Sequence, residues 1–220
     1  MKGIKNDRPS MPRYSTTWDT DLVVNYLKEY DHSNLKNLTL KLTMILALIT
    51  AQRAQTLSKL KLSEMTIQAN GCIVFRIGEA LKTKAPGTAV IETKEFKPDQ
   101  RICAVTLIQD YISKPNDIRE DDYLIISFVK PHRAVHVDTI HRWITKVMAI
   151  SGVNTDVYKP HSTKDAATSK ARARQVPLEQ IMKAAMWSNS STFATFYNKT
   201  IDKTDKEDSE YVSFQQAVLQ

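Results

Sequence analysis

The sequence predicts a mainly α fold that carries a small antiparallel β-sheet. Three observations predict it. Apolar residues recur at i, i+3 and i+4 through most of the chain, the spacing of amphipathic helices. Short β-rich runs, Ile73–Ile77 and 89–91, cluster in one place and are separated by a turn that contains Pro86 and Gly87. No internal repeat or low-complexity tract interrupts this pattern.

The elements follow in order. Residues 1–16 are polar, hold Pro9 and Pro12, and read as a basic flexible tail. A helix begins near residues 17–19, where Thr17 and Asp19 can cap free N–H groups, and runs to Tyr30 with a stripe of Leu22, Val23, Tyr26 and Leu27. The span Leu35–Thr50 is apolar nearly all round, which predicts a buried helix. Residues 72–93 form a hairpin or a three-stranded sheet. A helix covers 105–112, and the apolar run 123–128 fits strand and helix equally. Val137–Ile150 places Ile140, Ile144, Val147 and Met148 on one face, with Asp138 as the expected cap and Gly152 as the stop. Helices are also predicted over 161–174, after Pro160, and from Pro177 to about residue 186. An acidic linker then leads to a short amphipathic helix built on Phe214, Ala217, Val218 and Leu219.

Composition narrows the class. The 220 residues are 42% hydrophobic and 25% charged, which is globular and excludes wholesale disorder. Cys72 and Cys103 are the only cysteines, too few for a disulfide framework. The longest apolar stretch, 38–51, is too short to span a bilayer, and no signal-peptide pattern opens the sequence. The 31 Lys and Arg against 24 Asp and Glu give +7, a hint of an anionic partner. That surplus is concentrated: residues 129–175 hold nine bases against three acids, a surplus of six. Arg133, Arg142, Lys170, Arg172 and Arg174 from this segment, with Lys84 from the turn, are the candidate nucleic-acid contacts.

Several reactive side chains sit where a core has no use for them: Arg53, Lys82, His161, Lys164, Trp187 and Tyr197. A tyrosine hydroxyl can attack a phosphodiester and form a 3′-phosphotyrosine. The step needs cations on the non-bridging oxygens, an acceptor for the phenol proton and a donor to the leaving 5′-oxygen. Plain structural roles are open to the same residues. Arg53 could close the helix before it, Lys82 could be a solvated turn residue, and Trp187 and Tyr197 could pack beside Met186, Phe193 and Phe196. His132, His136 and His141 lack carboxylate or cysteine partners, so no metal is expected.

The order Arg … Lys … His-x-x-basic … Trp … Tyr resembles the catalytic domain of the tyrosine recombinases, the phage-integrase family, over residues 18–220. His161 lies 36 residues before Tyr197, and Trp187 ten before it. The phrases Gln-Arg-Ala-Gln-Thr-Leu, His-Ser-Thr-x-x-Ala-Ala-Thr-Ser-Lys and Phe-Tyr-Asn-Lys look most like the recombinases of DIRS- and Ngaro-type eukaryotic retrotransposons. The resemblance makes Tyr197 the nucleophile, Arg53 the first phosphate clamp and His161 the proton acceptor or relay. Lys82 matches the turn lysine that protonates the leaving oxygen, with Lys84 close enough to contest the role, and Trp187 would hold the phosphate through its indole N–H.

One position departs from the family. Lys164 stands where a second arginine is the rule, and lysine lacks the planar two-pronged donor geometry. Losing one preorganised donor costs on the order of 10²–10³ in rate. Neighbouring Asp165 is expected to pair with Lys164 and blunt it further. Two functions therefore follow from the resemblance: DNA cleavage and rejoining without a cofactor, or a weakened or inactive DNA-binding descendant of a mobile-element recombinase.

The resemblance also implies double-stranded DNA as partner, a homo-tetramer on DNA, and a free protein that can be monomeric. The organisation expected is a tail at 1–16, a catalytic domain at 17–200 and a linker with C-terminal helix at 201–220. Exchange of that helix between protomers and docking on its own protomer are both open to it. With only about 16 residues before the first helix, the family's N-terminal DNA-clamping domain is absent or belongs to a longer parent chain. The expected location is the nucleus in a eukaryote and the nucleoid otherwise.

Overall fold

The structure is a computed structural model that describes residues 14–81, 85–114, 118–187, 199–202 and 213–219. In chain order the elements are β1 (Thr16–Trp18), α1 (Thr20–Glu29), α2 (Leu35–Thr50), α3 (Ala54–Leu57), β2 (Met65–Ile67), β3 (Ile73–Ile77) and β4 (Ala89–Thr93). They continue with α4 (Ala104–Ser113), α5 (Val137–Ile150), α6 (Ser162–Ala173), α7 (Leu178–Ala184), β5 (Thr200–Asp202) and α8 (Phe214–Leu219). Short 3₁₀ turns at Leu62–Glu64 and Gln100–Ile102 lead into β2 and α4. The predicted mainly α class with a small antiparallel sheet is what the chain adopts.

Helix α2 is the hub. Every residue from Leu38 to Thr50 is buried, because α4, α5, α6 and α8 surround it. Asn34 caps its start by accepting from the Asn37 N–H at 2.9 Å. Its end is abrupt. Ala51 takes a left-handed conformation, φ 48°, which turns the chain sharply just before Gln52 and Arg53. A left-handed alanine is held against its own preference, and such residues gather at functional sites.

The sheet has order β2-β3-β4 and is antiparallel throughout; β3 and β4 lie in the predicted β region, whereas β2 lies before it and was not expected. Strands β3 and β4 pair Ile73 with Thr93 and Ile77 with Ala89. The run 123–128 is irregular, neither helix nor strand. Its fixture is Tyr111 on α4, wholly buried, whose hydroxyl donates to the Ile126 carbonyl and accepts from Thr39 Oγ1, both at 3.2 Å.

Two boundaries differ from the sequence reading. Asp138 is not the cap of α5: His136 is, its Nδ1 accepting from the Asp138 N–H at 3.3 Å, while the Asp138 carboxylate lies 3.1 Å from His136. Residues 16–18, expected to close the tail and open a helix, form strand β1. It pairs in parallel with β5, Thr16 beside Thr200 and Thr17 beside Ile201. Trp18 fastens this strand to α6 by donating its indole N–H to Ser162 Oγ at 2.9 Å, in the interior.

Helix α8 docks on its own chain. Phe214, Ala217, Val218 and Leu219 are buried against α1, α2, α6 and α7. The acidic linker expected between β5 and α8 lies outside the described residues over 203–212.

Candidate active site

Three distant stretches of sequence build one opening. The turn after α2 supplies Gln52, Arg53 and Ala54. Helix α5 supplies His141 and Ile144, and the start of α6 supplies Pro160, His161, Thr163 and Lys164. Arg53, His161 and Lys164 thus meet although more than a hundred residues separate the first from the others. Arg53 does not close α2, since that helix ends at Thr50. It occupies the N-cap position of α3 with its side chain exposed, so the guanidinium serves the opening and not a helix C-terminus. His161 precedes α6 and is likewise exposed, whereas Lys164, one turn in, is buried.

Lys164 has an unusual set of surroundings. Its ammonium donates to the Ala185 carbonyl at 2.6 Å and lies 4.7 Å from the centroid of the Trp187 ring. Burial, reinforced by the nearby Arg53 cation and opposed by Asp165, pushes its pKa down to about 7. Asp165 does not pair with Lys164 as expected. It faces the other way and binds Lys199 at 2.6 Å, because consecutive residues on a helix point about 100° apart. Burial nevertheless raises the Asp165 pKa, against the opposing pull of Lys199.

Trp187 reaches the site because α7 ends beside it. Gln52 donates its side-chain amide to the Ala184 carbonyl at 2.7 Å and to the Thr50 carbonyl at 3.1 Å. Lys164 takes the next carbonyl, Ala185, and Met186 then adopts φ 55° to deliver Trp187. The C-terminal end of α7 is therefore held by two side chains from the two walls of the opening. Gln52 is not singled out by the sequence; its place beside Arg53 is the available signal. His141, weighed only as a metal ligand, lines the opening instead.

The remaining predicted residues divide by exposure. Arg142 on α5 and Arg172 in the last turn of α6 are both exposed, and Arg174 is half-buried just beyond α6. Arg133 is exposed but donates to Glu120 at 2.7 Å, which offsets its charge locally. Lys170 corrects the reading of the basic run: it is 6% exposed, ion-paired to Asp21 and 3.5 Å from Asp19, so its ammonium ties α6 to the start of α1 and is not offered to a ligand. Tyr197, Lys82 and Lys84 lie outside the described residues.

The described residues bring no group of three or more His, Cys, Asp or Glu together in a way that could hold a metal ion. None of their helices is long and apolar enough to cross a membrane. What the opening offers is positive charge: one exposed arginine, one buried lysine of depressed pKa, and a histidine at a helix N-terminus. Such a set is chemically suited to an anion, with a titratable group beside it.

No curated protein sequence matches the chain. Solved structures share its fold. A XerH site-specific recombinase in a post-cleavage complex with palindromic difH substrate superposes with a TM-score of 0.62 at 15% identity, covering 81% of this chain and 48% of that one. A XerA recombinase gives 0.61 at 15% identity, covering 88% and 62%. A lambda integrase dimer bound to a COC′ core site gives 0.60 at 13% identity, covering 96% and 69%. This chain thus spans about half the length of the XerH chain. The sequence pattern of the phage integrase family matches residues 20–203, from the start of α1 through β5. The chain therefore belongs to the phage integrase family.

Proposed function

We propose that this protein cleaves and rejoins DNA through a 3′-phosphotyrosine formed by Tyr197. The observation that carries the reading is the convergence of Arg53, His161 and Lys164 on one opening, with Trp187 against Lys164. Arg53 and the Lys164 ammonium grip the non-bridging oxygens of the scissile phosphate. The Tyr197 oxygen attacks phosphorus as its proton passes to His161, and the bond to the 5′-oxygen breaks as Lys82 or Lys84 protonates it. Reversal, with a 5′-hydroxyl as attacker and tyrosine as leaving group, rejoins the strand. Because the phosphotyrosyl bond keeps the energy of the broken diester, rejoining needs no external energy source.

The finer parts of the proposal rest on the same residues. The phrases around Arg53, His161 and Tyr197 support an origin in a DIRS- or Ngaro-type mobile element, which would place the protein in the nucleus. The partner is double-stranded DNA, with four protomers assembled on two duplexes and a monomer in its absence. The exposed bases Arg142 and Arg172, with Arg174 beside Arg172, support the duplex contact. Residues 17–200 act as the catalytic domain, flanked by the basic tail and by the 201–220 segment, whose helix can pass to a neighbour in the assembly.

A nicked suicide duplex tests this. Wild type is expected to form a covalent protein–DNA adduct, and Tyr197→Phe none. An adduct that survives Tyr197→Phe overturns the nucleophile. An adduct seen only after Lys164→Arg identifies a decayed, DNA-binding copy of the enzyme.

A further inference from the structure

Two residues beyond Tyr197 in sequence, the chain is gripped from several directions. Lys199 pairs with Asp165 at 2.6 Å, the two side chains only 6% and 7% exposed. Its backbone N–H donates to Ser169 Oγ at 3.2 Å, one helical turn further along α6. Its ammonium also lies 5.2 Å from the centroid of the Tyr14 ring. The next three residues are β5, paired to β1.

Tyr14 extends the same anchor to the site. Its ring stacks on His161, centroids 5.7 Å apart and planes at 25°. Its hydroxyl accepts from the Lys159 N–H at 3.3 Å, and the Tyr158 ring lies 5.6 Å away. Asp165, Lys199, Tyr14 and His161 therefore form a column that runs from inside α6 to the edge of the opening. Removing two ions from water is costly, and such pairs are better suited to defining geometry than to adding stability.

We propose that Asp165, Lys199 and Tyr14 are positioning residues: the ion pair fixes where the chain emerges after Tyr197, and Tyr14 ties the His161 imidazole to the same anchor. The proposal rests on the reading of Tyr197 as nucleophile and deepens it. Lys164 and Asp165, adjacent on α6, then divide the work. Lys164 holds the chain on the upstream side, at Ala185, and Asp165 holds it on the downstream side, at Lys199.

The test is single-turnover adduct formation on the nicked duplex at saturating DNA, with duplex affinity and melting temperature measured alongside. Lys199→Met alone strands a buried carboxyl, so the double variant Asp165→Asn/Lys199→Met is the decisive one, since it leaves no lone charge. Misplacement of reacting groups by about 1 Å costs about 10²-fold, so the double variant is expected to lose about tenfold or more in adduct rate with affinity little changed. Lys199→Arg, which keeps the pair, should restore most of that rate, and Tyr14→Leu should also slow the step at unchanged affinity. Groups that act as a unit are non-additive, so the double variant should be no slower than Lys199→Met. A double variant that cleaves at the wild-type rate overturns the positioning role. So does a rate loss that follows lowered affinity or melting temperature and is not rescued by Lys199→Arg. If neither wild type nor Lys164→Arg forms an adduct, the phosphotyrosine reading falls, and the positioning role with it.

Discussion

The Lys164 ammonium rests 4.7 Å from the centroid of the Trp187 ring while donating to the Ala185 carbonyl at 2.6 Å. Lys164, at the position where the resemblance expects a second arginine, is thus occupied with protein partners. A guanidinium could bridge to a phosphate and still spare donors for a carbonyl; an ammonium has three donors around one nitrogen and must share them. A phosphate gripped by Lys164, as proposed, would therefore compete with the bonds that hold the end of α7.

The first prediction concerns pH. The folded pKa of Lys164 is about 7, below the ordinary lysine value of 10.5. Below pH 7 the folded and unfolded chains both hold the proton, and folding bears the full cost of burying a cation. As pH rises from 7 towards 10.5 the folded chain releases the proton first, so the cost is shed and stability rises. Lys164→Met should stabilise the fold by on the order of a few kcal/mol at pH 6, with the gain vanishing near pH 10. Chemical denaturation across that range measures it. Cleavage at subsaturating DNA should fall as pH rises through about 7, and Lys164→Arg should remove that limb.

The second prediction separates two neighbouring bases. Lys170→Ala leaves Asp19, itself 6% exposed, short of its partner, and should destabilise the protein by about 3–5 kcal/mol. Arg172→Ala removes an exposed charge and should leave the melting temperature unchanged. It should instead weaken duplex binding and flatten the slope of log K against log salt by about 0.9 for each phosphate that Arg172 neutralises. Thermal melts and salt-dependent anisotropy distinguish the two outcomes.

Gln52 gives the third. Gln52→Leu keeps the volume but strips the carbonyls of Thr50 and Ala184 of their donor, at a cost of about 1–3 kcal/mol for a buried group left unsatisfied. Because α7 delivers Trp187, the variant should also slow adduct formation at saturating DNA. Gln52→Glu, which cannot donate when ionised, should behave like the leucine variant and not like wild type.

A fourth prediction is purely structural. Tyr111→Phe deletes the hydroxyl that joins Thr39 to Ile126 and should cost about 1–3 kcal/mol in denaturant unfolding. The adduct rate of the folded protein should not change, since Tyr111 is buried among α2, α4 and the 123–128 run and takes no part in lining the opening.

Long elements with a repeating apolar pattern were legible in the sequence. The bounds of α2 and α5 are the predicted ones, because a helix of 14 or 16 residues repeats its apolar signal over several turns. The β1–β5 pair was not legible, since each strand has three residues and its partner is nearly the whole chain away. Short non-local strands leave no periodicity to read. The basic run 129–175 was visible as charge, but charge counts do not tell a surface lysine from one like Lys170, whose partners Asp19 and Asp21 come from the other end of the sequence. Arg53, His161, Lys164 and Trp187 could be chosen because their order and spacing were informative. Tyr14 could not, since it reads as the edge of a polar tail and draws its meaning from a stacking contact with His161.

The pairing of Thr16 with Thr200 has a mechanical side. Parallel strands pulled from one end are loaded in shear, with the hydrogen bonds sharing the force. Tension applied to the chain upstream of Tyr14 would pass through β1 into β5, and so to Lys199, two residues from the proposed nucleophile. A load on the segment before β1 would therefore be felt at β5, which begins one residue after Lys199.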